Sequence, residues 1–228
     1  MATTTRFTNF SPQAIAFLRA LKRHNDREWF KPRKEEFERL LREPMIAMID
    51  RLATDFKTFA PELVASPKVS LFRIYRDTRF SENKAPYKTH VAAVFPARGL
   101  PKLGGAALYL HVAADEVFVG GGLHNAETSQ LVAVRGHIVE NLRHFRTIVE
   151  SPAFRKGAGG LHGEQLQRVP RGYPKDHEAA EYLRYRQFLA GREFPASFAT
   201  SPKFYNDVVG VFRRVAPMIR FLNDALQR

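Results

Sequence analysis

The hydrophobic period of this 228-residue chain changes near Val69 and again near Asn125, and these two changes constrain its fold most strongly. Before Val69 the apolar residues recur at helical spacing, as in Ile15 and Leu18. Between the two points, short β-rich segments alternate with turns, and helical spacing then returns. This order predicts an α+β fold with N-terminal helices, a central mainly antiparallel sheet and C-terminal helices packed on the sheet. The length suits one domain, so we expect a single domain over residues 1–228.

Four short segments are predicted to be the strands of this sheet. They read KVSLFRIYR, HVAAVFP, AALYLHVA and EVFVGG, and they begin at Lys68, His90, Ala106 and Glu116. The link AADE between the last two segments is tight, so these segments are predicted to form an antiparallel hairpin. The glycines of VFVGGGLHN are predicted to form a tight turn before the next helix.

Capping residues and prolines predict where the helices begin. Ser11 and Pro12 suit the N-cap and first position of the first helix. Asp176 and Ser201 are predicted to cap two later helices in the same way. The later helices are predicted over residues 125–145, 176–188 and 201–226. The segment KGAGGLHGEQ is predicted to be a mobile glycine-rich loop.

The chain is strongly basic, with 36 Lys and Arg against 23 Asp and Glu and a net charge of +13. Such a charge attracts nucleic acid or anionic ligands, but an arginine-rich solvated surface explains it equally well. The lack of Cys excludes disulfides, thiolate metal sites and a Cys nucleophile, and it fits a cytoplasmic protein. The start, MATTTRFTNFSPQ, does not resemble a signal peptide, and no apolar run suits a membrane helix, so we expect no membrane association.

The stretch RIYRDTRFSENKAPYKTH, which begins at Arg73, concentrates cationic and phenolic side chains. In an extended strand, period-two alternation would separate Arg73 from Phe72 and Ile74. The same alternation in the third predicted strand places Tyr109 and His111 on one face. We expect this face to carry Arg73 as well, in reach of Tyr109 or His111. A guanidinium beside phenols and an imidazole suits a carboxylate or a phosphate, because Arg donates two parallel hydrogen bonds to such a group.

We therefore predict a binding site for a small phosphate- or carboxylate-bearing ligand at this stretch. Crowded cations with few acids are best explained by an absent anion, with Arg79, Lys84 and Lys88 at the rim of a cavity. The predicted ligand-binding residues are Arg73, Arg76, Asp77, Arg79, Lys84, Tyr87, Lys88, Tyr109 and His111. The sequence indicates no catalytic residue, no cofactor and no metal site. The segment HEAAE at His177 lacks the second His of a zinc-protease helix.

Five segments of the chain resemble the conserved hypothetical family called domain of unknown function 2461. They are HNDREWF, FRIYRDTRFSENKAPYKTH, YLHV followed by VGGGLH, VRGHI, and RVPRGYPKDHEAAEYLRYRQF. The resemblance covers nearly the whole chain and implies an α+β domain without an established activity. The family's motifs fall on Asn25, Asp26, Trp29, Arg73, Arg76, Asp77, Arg79, Lys84, Pro86, Tyr87, Lys88, Gly121, Gly122, Arg135, Pro170, Gly172, Tyr173 and His177.

Two further functions remain open from the sequence. A basic nucleic-acid-associated module would show a continuous cationic stripe and weak, salt-sensitive binding without sequence preference. A structural or partner-binding protein would instead hold Arg73 and Asp77 inside a buried ion-pair network. The sequence does not indicate whether the protein is an enzyme, and it carries no sign of an oligomeric state.

Overall fold

A four-stranded antiparallel sheet organises the fold, and its strands are ordered as they occur along the chain. The structure is a computed structural model that describes residues 7–79 and 81–227. The strands are β1 (His90–Pro96), β2 (Ala107–Ala113), β3 (Glu116–Leu123) and β4 (Phe188–Pro195). The predicted α+β class is thereby confirmed. The expected lack of a signal peptide concerns the start of the chain, where residues 1–6 lie outside the described ranges.

The hairpin predicted around AADE is confirmed. Strands β2 and β3 pair antiparallel with Leu110 opposite Val119, and only Ala114 and Asp115 separate them. Strand β4 was not predicted as a strand. It pairs antiparallel with β3 and is the fourth strand of the sheet.

The strand predicted at KVSLFRIYR is wrong. Its first residues belong to a helical turn, Pro67–Ser70, because Pro67 follows Ser66 and favours the first turn of a helix. The following residues form only isolated bridges, from Leu71 to Ala93 of β1 and from Tyr75 to Tyr87, which precedes β1. The register shifts by two residues between these bridges, at a bend in the chain at Ile74.

The N-terminal helices form the first layer of the fold. Ser11 caps the first helix as predicted, because its hydroxyl accepts a hydrogen bond from the Ala14 backbone N–H. From Arg27 to Phe59 the chain stays helical, with a 3-10 turn at Lys31–Arg33 and a π turn at Glu38–Arg42. The α-helical segments are α1 (Pro12–Arg23), α2 (Arg27–Phe30), α3 (Lys34–Phe37) and α4 (Glu43–Phe59), followed by the turn at Pro67, α5 (Pro67–Ser70).

The C-terminal helices differ from the prediction in their limits. They are α6 (Thr128–Glu140), α7 (Leu142–Val149), α8 (Pro152–Ala158), α9 (Ala180–Leu183) and α10 (Phe204–Leu226), with a 3-10 turn at Ala196–Thr200 before the last. The helix predicted over residues 125–145 is broken at Asn141, whose side chain donates a hydrogen bond to the His137 carbonyl. Ser201 precedes the last helix by one turn and accepts a hydrogen bond from the Lys203 N–H.

The helix predicted over residues 176–188 is largely wrong. Only α9 is helical, and Asp176 is not its cap. His177 stabilises the preceding turn instead, because its Nδ1 accepts a hydrogen bond from the Ala179 N–H at 2.9 Å. The chain then turns into β4 at Phe188, so the last predicted helical residues lead into a strand.

Both glycine-rich predictions are also corrected. The glycines expected to form a turn lie within β3, where a Cβ at Gly120 would overlap the Ala190 carbonyl of the neighbouring strand. The segment predicted as a mobile loop, residues 156–165, begins within the last turn of α8, and Gly159 ends that helix with a φ of 73°. His162 then exchanges two hydrogen bonds with Leu189, at 2.8 and 2.9 Å, and so extends the sheet beside β4.

The two faces of the sheet differ in character. One face carries Phe95, whose ring packs edge-on against Phe56 of α4 and Phe212 of α10. Strand alternation places Tyr109 and His111 on the opposite face, which we call the second face. Among the described residues, no helix is long and apolar enough to cross a membrane.

Candidate functional site

The predicted motif is held together where its two arms meet. The Arg76 N–H donates to the Pro86 carbonyl at 2.9 Å, and the Lys88 N–H donates to the Ile74 carbonyl at 2.8 Å. The described residues between these arms, 77–79 and 81–85, are mostly exposed, and we call them the tip. Eight of the nine predicted site residues lie in three separate places around these arms, and Arg73 lies outside all three.

The first place is the tip, where Asp77 pairs with Arg79. The Arg79 guanidinium donates two hydrogen bonds to the Asp77 carboxylate, at 2.8 and 3.0 Å. These bonds to Arg79 lower the pKa of Asp77 to about 2. The Lys84 ammonium donates to the Thr78 carbonyl at 3.1 Å. All three charged side chains are exposed, so the tip resembles a solvated surface loop rather than a site.

The second place is a cavity of about 320 Å³ between the motif and the start of the α2 segment, which we call the motif pocket. Arg76 donates a hydrogen bond to Ser81 at 3.3 Å, and the Tyr87 ring stacks on Phe30 at 4.1 Å between centroids. Burial raises the pKa of the Tyr87 phenol. The lining residues are Arg27, Lys31, Tyr75, Arg76, Thr78, Pro86 and Tyr87, which include three cations and no acid.

The third place is on the second face of the sheet, and we call it the sheet-face cluster. Its residues are Phe72, Lys88, His90, Lys102, Tyr109 and His111. The Lys88 and Lys102 ammonium groups lie 4.9 and 4.4 Å from the centroid of the Phe72 ring. Both lysines are partly buried. Lys102 donates a hydrogen bond to the Leu71 carbonyl at 3.1 Å.

The imidazoles of the cluster are ordered by neighbouring strands. His111 Nδ1 lies 3.3 Å from the Tyr109 hydroxyl, and its Nε2 lies 3.2 Å from a Glu116 carboxylate oxygen. The His90 ring lies 5.3 Å from the His111 ring between centroids. A carboxylate, an imidazole and a phenol joined in this way can relay a proton across the face of the sheet.

Burial without enough negative charge destabilises the charged forms of these bases. It lowers the pKa of Lys88, with a further effect from Arg73, and it lowers the pKa of Lys102, with a further effect from Lys88. Burial, then the nearby His111 and Lys88, lower the pKa of His90 to about 4. His90 is therefore neutral at physiological pH.

The pKa values of His111 and Tyr109, which the relay joins, shift in opposite directions because both side chains are partly buried. Burial lowers the pKa of His111, although the hydrogen bond to Glu116 opposes this effect. Burial raises the pKa of Tyr109 to about 12, so its hydroxyl remains a proton donor at neutral pH. The cluster therefore presents two cations and a phenol donor, and it has one carboxylate, Glu116, at its edge.

Arg73 does not occupy the position that alternation predicted for it. Its side chain is exposed, and within residues 7–79 and 81–227 it makes no hydrogen bond or ion pair. The ring that faces Tyr109 is that of Phe72, at 6.3 Å between centroids. The bridge between Leu71 and Ala93 of β1 accounts for this arrangement, because alternation from that pair places Phe72 on the face of Tyr109 and Arg73 on the other face.

Three cluster residues, Phe72, His90 and Lys102, were absent from the predicted site. His90 ends the quoted motif and begins β1, so its position in the sequence offered a signal. Lys102 lies in the segment PKLGG between β1 and β2, where the local sequence carries no comparable indication. Only the folded chain brings Lys102 to the Phe72 ring.

Arg135 is a further cation without an acidic partner. Its side chain lies in α6 and is only 8% exposed. It donates a hydrogen bond to the Tyr185 carbonyl at 3.0 Å, and its Nε has no hydrogen-bond partner among the described residues. Burial lowers its pKa, while the nearby Tyr173 opposes this effect. Within the same ranges, no three His, Asp or Glu side chains converge as metal ligands.

The fold and these clusters define an α+β protein with cationic, aromatic-lined surfaces around its central motif. The chain belongs to the family of conserved hypothetical proteins DUF2461, whose family model matches residues 13–221. The resemblance seen in the motifs is thus confirmed. Neither the curated proteins nor the solved structures contain a significant match to this chain.

Proposed function

We propose that this protein binds a small anionic ligand, bearing a phosphate or a carboxylate, at the sheet-face cluster. One observation carries the proposal. The partly buried ammonium groups of Lys88 and Lys102 share the Phe72 ring, and neither has a carboxylate partner within the described ranges. Two like charges held close together in partly dehydrated surroundings are unfavourable unless an anion compensates them.

The neighbours of the lysines supply what an oxyanion needs besides charge. The Tyr109 hydroxyl remains protonated because its pKa is raised to about 12, so it can donate a hydrogen bond. The neutral His90 ring can donate one as well. Phosphate and carboxylate groups accept several such bonds, and bonds that involve charged partners are the strongest.

Calorimetric titration with inorganic phosphate, pyrophosphate and citrate at low salt tests the proposal. We expect Lys88→Gln and Lys102→Gln to weaken binding of the preferred anion by about tenfold each, as loss of a charged hydrogen bond does. Lys84→Gln is the matched control, because it removes the same charge from the exposed tip of the same motif. Equal weakening by Lys84→Gln would show that only the general charge of the motif matters.

The other functions considered from the sequence differ in their support. In a buried ion-pair network, Arg73 and Asp77 would be enclosed, but both are exposed and Asp77 pairs with Arg79 in the tip.

We include a cytoplasmic location in the proposal, because a chain without Cys suits a reducing compartment. The relay from Glu116 to Tyr109 would suit proton transfer to a bound ligand, which makes an enzymatic role part of the same hypothesis.

A further inference from the structure

A second cationic surface lies far along the chain from the motif, in a groove formed by α8, β4 and α10. The groove has a volume of about 690 Å³. One cation from each element lines it: Lys156 of α8, Arg192 of β4 and Arg214 of α10. Asp207 is the only acid among the residues that line it. We call this surface the basic groove.

Two contacts hold the Arg214 side chain in place, one with α8 and one within α10 itself. Arg214 lies so close to Gly157 that a Cβ at this position would overlap its side-chain Cδ and Nε atoms. Its Nη1 also donates a hydrogen bond to the Gly210 carbonyl one turn earlier in α10, at 2.6 Å. A side chain ordered in this way loses little entropy when it binds a partner.

Arg192 is held near the end of α8 by contact with an aromatic ring of its own segment. Its guanidinium lies 5.0 Å from the centroid of the Phe194 ring, and that ring stacks on Phe198 at 4.0 Å. A Cβ at Gly159, just after α8, would lie 4.0 Å from the Arg192 Cγ. Arg214 and Arg192 therefore both lie near the C-terminal turn of α8, which contributes Lys156.

These ordered cations are not matched by acids. None of the three makes an ion pair within the part of the chain that the structure describes. The carboxyl end of α8 attracts positive charge, but that effect is small at an exposed surface and does not account for cations contributed by two other elements. The unmatched charge faces the groove, so an extended anion would compensate it.

We infer that the basic groove binds the phosphodiester backbone of a nucleic acid, independently of the sheet-face cluster. Arginine donates paired hydrogen bonds to phosphate oxygens, and cations contributed by three elements suit a chain of phosphates better than a single one. The net charge of +13 would attract such a polyanion over a longer range. Lys156, Arg192 and Arg214 would contact phosphates and not base edges, so the expected binding is independent of sequence.

Fluorescence anisotropy with a labelled single-stranded oligonucleotide of mixed sequence tests this inference, with salt varied between about 50 and 200 mM. We expect binding that weakens as salt rises. Arg214→Ala and Arg192→Ala should each reduce the slope of log affinity against log salt by about 0.7, which is the value for one lost phosphate contact with a single strand. Asp207→Asn should strengthen binding, because it removes the one acid of the groove.

Arg213→Ala is the matched control on the same helix. Arg213 lies over the Phe59 ring and donates a hydrogen bond to Thr58, outside the groove, so its loss should leave the slope unchanged. Thermal unfolding of each variant shows whether it is folded.

The inference is overturned if the wild type does not bind at low salt, or if Arg213→Ala acts like Arg214→Ala. Displacement of the oligonucleotide by an equal phosphate concentration of pyrophosphate would assign the groove to small phosphates instead. The Lys88→Gln variant tests anion binding at the sheet-face cluster only, so its result leaves the inference about the basic groove unaffected.

Discussion

The Asn25 side chain pairs with both backbone groups of Tyr87, as a neighbouring strand would. Its Nδ2 donates to the Tyr87 carbonyl at 2.9 Å, and its Oδ1 accepts from the Tyr87 N–H at 3.0 Å. These two groups point away from Tyr75, because the bonds between the two arms of the motif are made by the residues on either side of Tyr87. Asn25 thus closes the outer edge of the motif and attaches it to the end of α1.

We predict that Asn25→Ala lowers the free energy of unfolding by about 2–3 kcal/mol, since it leaves a partly buried donor and acceptor without partners. The variant should also weaken anion binding, because Tyr87 directly precedes Lys88. Asn83→Ala is the control: Asn83 is exposed and accepts one hydrogen bond from the Ala85 N–H within the tip. It should cost less than about 1 kcal/mol in urea denaturation. Equal costs for the two variants would contradict the structural role of Asn25.

The second face depends on close contact between an aromatic ring and two glycines. Gly120 and Gly191 lie opposite each other in β3 and β4, and a Cβ at Gly191 would overlap the Phe118 ring. We predict that Gly191→Ala destabilises the protein by about 1–3 kcal/mol, as other overpacked substitutions do. It should also displace Phe118, whose ring stacks with that of His111, and so perturb the His111 NMR signals.

Gly136 provides the comparison for this substitution. It lies within α6, and a Cβ added there would meet nothing within 4 Å. Gly136→Ala should therefore stabilise the protein by up to about 1 kcal/mol, because Ala favours a helix interior over Gly. Destabilisation by both substitutions to the same extent would mean that the contact with Phe118 is unimportant.

The partly buried His90 predicts a loss of stability in mild acid. Its pKa is about 4 in the folded chain, against an ordinary value of 6.5, so the unfolded chain binds the proton more readily. Its contribution is complete above about pH 6.5 and is lost as the pH falls towards 4, by at most about 3 kcal/mol. Denaturation in urea at pH 7 and pH 4.5 should show a smaller difference for His90→Gln than for the wild type. His162→Gln, at an exposed position, should behave as the wild type does.

The fold could be predicted where short-range signals agreed with the tertiary structure. The hairpin at Ala114 and Asp115 is one example, because its strands alternate clearly and its link is short. Strand β4 was missed because its exposed residues include Arg192 and Glu193, and because its first residue follows a segment with helical spacing. The glycines of β3 resemble a turn in sequence, and only their neighbours in β4 show why a side chain is excluded there.

The candidate site was predicted in composition better than in geometry. Lys88, Tyr109 and His111 do come together, since the last two alternate on one regular strand. Arg73 lies elsewhere, because the bridge from Leu71 to Ala93 places Phe72 on the face of Tyr109, and no local pattern indicates that pairing. Lys102 reaches the cluster from a separate loop, and a contact between segments so far apart depends on the packing of the whole sheet.

The most direct test of the sheet-face cluster is an NMR titration of its two lysines, after reductive methylation with ¹³C and assignment through Lys88→Arg and Lys102→Arg. Without ligand, we predict a pKa below the ordinary 10.5 for both Lys88 and Lys102, because both are partly buried and repelled by nearby cations. Addition of the anion that binds in calorimetry should raise both pKa values together, while the Lys84 signal should not respond. An account based on this cluster is contradicted if the pKa values of Lys88 and Lys102 are ordinary and remain the same when the anion is bound.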